Sequence, residues 1–214
     1  MDRLTTEQVI RFLELLADRM PEHAEMLREL DAQLGDGDLG ITMTLGMAGI
    51  KQGLSELPHD DVGMVIARSG LNFNRAAAST FGAILATGFM RAGQQVKGRD
   101  EVTLQDLGAM FEAAAEGIME RGGARPGEKT VLDVIVPMAE TLRQAAADAS
   151  SLVQAVQRAH DRCQQALQET VTMEGKHGRA GWLKEKSVGV QDPGSTALCL
   201  MVDCLREFVE NLPE

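Results

Sequence analysis

The sequence predicts an all-α fold, a single-domain antiparallel bundle of about eight helices over residues 1–214, on three observations. Apolar residues make up 44% of the chain but aromatic ones only 3%, with no Tyr, one Trp and 12 Met. Such a composition packs helices through Leu, Ala, Met and Val, because strands draw on β-branched and aromatic residues in alternation, and period-two runs are scarce here. Apolar positions instead recur at three- and four-residue spacing. Finally, 214 residues suffice for a sizeable core, and no Pro- or Ser-rich linker divides them.

The helices follow in order. Thr5 with Gln8 reads as a capping box opening a helix on Val9, Phe12, Leu13, Leu16 and Met20, with a break near Pro21 and a helical continuation over Glu22 to Leu34. Met43, Met47 and Ile50 mark the next helix, starting after Gly40. Asp60 to Leu71 predicts a short helix, and Ala76-Ala77-Ala78-Ser79-Thr80 opens a longer one to about Phe89. The small residues of that opening permit close approach, either to another helix or to a ligand. Thr103 with Asp106 caps a helix on Leu107, Met110, Phe111, Ala114 and Ile118 that ends at Gly122-Gly123. Further helices are expected from about Val131 to Ala147, from Ser151 to about Met173, and from Gln191 onward on Leu198, Met201, Val202, Leu205, Phe208 and Val209.

Charge and composition exclude several functions. A net charge of −11 argues against nucleic acid and anionic membranes as partners, since both require a basic surface. The longest apolar run, Phe81 to Met90, is too short to span a bilayer, and the N-terminus lacks the basic start and apolar centre of a signal peptide. The cytoplasm is the expected compartment. Cys163, Cys199 and Cys204 are odd in number, without C-x-x-C spacing, and read as buried free thiols.

The densest chemistry lies between Asp31 and Gly40. Asp31, Asp36 and Asp38 alternate there with Gly35, Gly37 and Gly40, and no Lys or Arg occurs between Arg28 and Lys51. Like charges about 4 Å apart repel by roughly 4 kcal/mol at an effective dielectric near 20, so a turn that converges these carboxylates calls for a cation. Magnesium suits them: it takes oxygen ligands and commonly completes its shell with substrate phosphates. An EF-hand is excluded, because counting from Asp36 the fifth, sixth and twelfth positions are Gly40, Ile41 and Met47. Gly35-x-Gly37-x-x-Gly40 is no dinucleotide fingerprint, since a helical pattern precedes it instead of a strand. Taken alone, Asp-Gly-Asp reads first as a solvated acidic loop between helices, and the case for a metal has to come from elsewhere in the chain.

Two cationic loops supply further signal. Arg121 to Thr130 ends in Lys129-Thr130, but Glu128 stands where a Walker motif has Gly, and no strand leads in. Lys176 to Lys186 clusters four Lys/Arg around the only Trp, Trp182. In an up-and-down array alternate loops share one end. The acidic loop, the Ala76 to Thr80 turn, the Gly122 loop and the Lys176 to Ser195 loop therefore converge on one rim, where an anionic ligand could meet metal and cations.

The motifs Leu30-Asp31-Ala32-x-x-Gly35-Asp36-Gly37-Asp38, Gly123 through Asp133, and Gly178-Arg179-Ala180 followed by Gln191-Asp192-Pro193-Gly194-Ser195 resemble the L subunit of dihydroxyacetone kinases and the nucleotide-binding domain of the single-chain enzymes. The resemblance covers essentially the whole chain. It implies an eight-helix barrel with ADP or ATP at one rim and two Mg2+ ions held by Asp31, Asp36 and Asp38. It also implies nucleotide contacts from Leu39, Gly40, Ile41 and Thr42, from Ser79 and Thr80, from Gly122, Thr130 and Val131, and from Asp192, Pro193 and Gly194. Arg179 would stand beside the nucleotide oxygens and, with the three aspartates, serve phosphoryl transfer. Leu39 replaces a frequent family His, and Ala78-Ser79-Thr80-Phe81 replaces an A-S-G-P-type segment. The implied partner is a K-type subunit holding a short ketose, with either free ATP exchange or rephosphorylation of bound ADP by a phosphotransferase-system carrier. A nucleotide-sensing L-type subunit that binds a regulator is the alternative.

Overall fold

The computed structural model describes residues 3–182 and 184–212. Six of the helices start where a short polar side chain accepts a free amide of the first turn. Thr5 and Gln8 form a capping box on α1 (Thr6–Arg19), and Pro21 lies in the 3-10 turn that joins it to α2 (Ala24–Ala32). Then come α3 (Leu39–Gly53), α4 (Val62–Ala76) capped by Asp61, and α5 (Thr80–Gln95) capped by Ser79. The helix α6 (Leu104–Gly122) carries the Thr103–Asp106 box and ends on left-handed Gly123. The series closes with α7 (Leu132–Ala147), α8 (Leu152–Thr170), the single turn α9 (Lys184–Ser187) and α10 (Pro193–Glu210), capped by Asp192.

From α3 to α8 each helix packs on the next, α8 packs on α10, and α10 meets α1, which in turn lies against α3. With α1 and α2 counted as one bent unit and α9 set aside, eight helical units close the ring, as the sequence predicted. An apolar cavity of about 140 Å³ lies inside it, lined by side chains such as Phe12, Leu85, Met110, Ile135 and Leu205.

Three details differ from expectation. The α4 helix runs five residues past Leu71, and Ala76 ends it instead of opening α5, because Ala77 leaves helical geometry and Ser79 takes over as cap for Gly82. The α8 helix stops at Thr170. Strands β1 (Arg3–Thr5) and β2 (Glu101–Thr103) pair antiparallel just ahead of α1 and α6, a contact no periodicity could reveal in three-residue segments.

Candidate functional site

The acidic turn is shaped by backbone geometry. Gly37 adopts φ +71°, a left-handed conformation that a side chain resists, and so bends the chain between Asp36 and Asp38. Asp31, Asp36 and Asp38 each present a carboxylate oxygen within 4.8 Å of the other two. The Asp31 carboxylate also accepts the Leu39 amide at 3.3 Å, which ties the last turn of α2 to the first of α3. Partial desolvation, followed by the charges of Asp36 and Asp38's other neighbour Asp31, pushes the Asp38 carboxyl above its usual range, with Arg179 opposing. Three converging oxygens under mutual repulsion form a donor set suited to a hard divalent cation.

Arg179, on the loop between α8 and α10, pairs with Asp36. That loop is tied to the α6–α7 connection: Glu128 accepts the Arg125 amide at 2.8 Å and meets His177 Nε2 at 2.5 Å, while the Lys176 amide donates to the Glu128 carbonyl. The Arg125 amide and then His177 hold the Glu128 carboxyl below its usual range.

These segments enclose a cleft of about 380 Å³. Asp192 stands at its wall, buried, accepting the Ser195 amide at 2.7 Å; burial raises its pKa to about 6 despite that hydrogen bond. Four helices, α3, α5, α7 and α10, begin at this cleft, so residues of four first turns line it. The positive ends of those helices favour an anion. Phe81, Ile84, Ile118, Val131 and Leu132 add an apolar lining fit for a flat ring.

A DAK2 domain model matches residues 33–207. The chain belongs to the DAK2 domain family. Its relatives include the ADP-binding subunit DhaL of the PEP-dependent dihydroxyacetone kinase of Escherichia coli, 34% identical over 94% of this chain and 96% of that one. The corresponding subunit of kinase 1 of Listeria innocua is 30% identical over 90% of this chain and 91% of its own. Among solved structures, the dihydroxyacetone kinase from C. freundii in complex with AMP-PNP and Mg2+ superposes with a TM-score of 0.69 at 25% identity, over 93% of this chain and 33% of that one. The chain thus spans about a third of the C. freundii enzyme.

Within this DAK2 domain the cleft gathers Asp31, Asp36, Asp38, Leu39, Ser79, Thr80, Gly122, Thr130, Val131, Arg179, Asp192, Pro193 and Gly194. It leaves out Gly40, Ile41 and Thr42. Gly40 faces Ala24, whose carbonyl oxygen lies 2.0 Å from where a Cβ would stand; Thr42 is buried and Ile41 is 58% exposed. The first turn of α3 therefore reaches the cleft through Leu39 alone. Sequence reasoning missed the apolar lining residues Phe81, Ile84 and Ile118, whose helical spacing is indistinguishable from that of core positions. His177 also lines the cleft and meets Glu128. No helix among the described residues is long and apolar enough to cross a membrane.

Proposed function

We propose that this chain is the nucleotide-binding, phosphoryl-donating subunit of a two-component kinase for dihydroxyacetone or a related short ketose. The convergence of Asp31, Asp36 and Asp38 beside Arg179 in a cleft ringed by helix N-termini carries the reading. The three aspartates would hold two Mg2+ ions, which when bound neutralise nucleotide phosphates. Arg179 would turn from Asp36 toward phosphate oxygens, for which its planar donors are suited, while the first-turn amides orient the chain of phosphates. The apolar lining would take the adenine.

Phosphoryl transfer needs positioning and charge neutralisation more than covalent help from the protein. The acceptor hydroxyl oxygen forms the new bond to phosphorus as the bond to the ADP oxygen breaks, and the hydroxyl proton leaves to a base on the K-type subunit. Relatives named as PEP-dependent favour ADP retained in the cleft and rephosphorylated in place by a phosphotransferase-system carrier. Calorimetry of ADP with and without Mg2+, on the wild type and on Asp36→Ala and Asp38→Ala, tests the site. Binding should require Mg2+ and be lost in both variants; metal-independent binding, or full affinity in either variant, would overturn the reading. Sugar phosphorylation should appear only when a K-type subunit is added.

A further inference from the structure

Lys129 follows Glu128 in the segment that superficially resembles a P-loop, yet its ammonium does not reach for a phosphate. The residue is 2% exposed, and Nζ lies 2.5–3.2 Å from the backbone carbonyl oxygens of Thr170, Met173, Ser187 and Val190. Thr170 ends α8, whose terminal carbonyls have no intrahelical partner, and Ser187 ends α9. One ammonium thus caps a helix end and gathers the loop that returns to Asp192. Its backbone is left-handed, φ 58°, a conformation that a non-glycine residue resists and that persists where surroundings impose it.

The loop from 171 to 191 has little else to hold it. Among its described residues only Gly175 and Ser187 are buried, so none of these contributes a large apolar side chain to the core. Its attachments are polar: Lys129 donates to the Met173, Ser187 and Val190 carbonyls, and the neighbouring Glu128 meets Lys176 and His177. The same loop carries Arg179.

We infer that Lys129 is a positioning residue: its ammonium, filling a cage of four backbone carbonyls, fixes the Arg179 loop against the acidic turn. The ammonium acts as a tethered monovalent cation, so a free alkylammonium ion should replace it once the side chain is cut back. The functional readout rests on the nucleotide-binding reading above; the structural readout does not.

The test uses the full chain with Lys129→Ala, n-propylammonium as the probe, and tetramethylammonium at equal ionic strength as control. Hydrogen exchange over residues 171–191 should quicken in the variant, and Mg-ADP affinity should fall by about 10- to 100-fold, the scale of losing the charged hydrogen bonds of a displaced Arg179. n-Propylammonium should restore both, and tetramethylammonium, which has no N–H donor, neither. Unchanged exchange, or a loss that the amine does not repair, would refute the inference. If the wild type itself binds no Mg-ADP, the kinase reading fails while the exchange comparison still decides the role of Lys129. Should Lys129→Ala not fold, Lys129→Gln, which keeps donors without the charge, takes its place. Exchange faster than wild type would then support the cage, and exchange equal to wild type would refute it.

Discussion

Replacing Asp192 with Asn should stabilise the fold at neutral pH while weakening the site. The Asp192 carboxyl is buried beside Lys129 and Asp133, and burial lifts its pKa from the ordinary 3.8 to about 6. A displacement of that size corresponds to roughly 3 kcal/mol of preference for the neutral form in the folded state. Because the folded pKa is raised, this stability is fully present below the unfolded pKa and is lost as pH rises through about 6. At pH 7.5 the wild type has therefore forfeited it. Asn keeps the cap for the Ser195 amide without the charge, so Asp192→Asn should gain about 1–3 kcal/mol there, or some 2–4 °C in melting temperature per kcal/mol for a chain of this size. Near pH 4, where the wild-type carboxyl is also protonated, the two should melt together. Mg-ADP binding should weaken in the variant, because Asp192 lines the cleft. Thermal melts from pH 4 to 8 check the thermodynamics; a variant less stable than wild type at pH 7.5, or a difference independent of pH, would refute the reasoning.

Three further outcomes are expected. ADP at 100 times its Kd should raise stability by about 2.7 kcal/mol in the presence of Mg2+, and chelation by EDTA should abolish the thermal shift. Arg179→Lys should leave the melt of the free chain within about 1 kcal/mol of wild type, since the Asp36 pair is half exposed, yet reduce Mg-ADP affinity or turnover, because Lys lacks the bidentate fork. Gly93→Ala should destabilise by about 1–3 kcal/mol without altering nucleotide affinity. Its Cβ would fall 2.4 Å from the Gly63 carbonyl at the helix crossing of α4 and α5, away from the cleft, and an unchanged melt would contradict that packing.

What the sequence made legible was local. A capping box needs two residues three apart, so Thr5–Gln8 and Thr103–Asp106 could be read directly. Asp31, Asp36 and Asp38 lie close enough along the chain that one turn must bring them near each other. Leu39, Gly40, Ile41 and Thr42 share a turn, but successive helical residues point in different directions, and with Gly40 packed on Ala24 it is Leu39 that lines the cleft. Lys129 was illegible for a different reason. Its acceptors are backbone carbonyls 41 to 61 residues away, groups that every residue carries and no side-chain pattern marks.

How a chain of net charge −11 could receive a polyanion follows from the connectivity. An antiparallel ring places helix starts and helix ends alternately around each rim, so the fields of neighbouring helix termini tend to cancel. At this rim the cancellation is broken. Leu39, Thr80, Leu132 and Pro193 bring four positive starts to the cleft lining, whereas the carbonyl end of α8 is turned inward onto the Lys129 ammonium. One helix end at this rim is neutralised by a buried cation while four helix starts open on the cleft, so backbone placement favours an anion there, with Arg179 as the charged side chain beside the acidic turn.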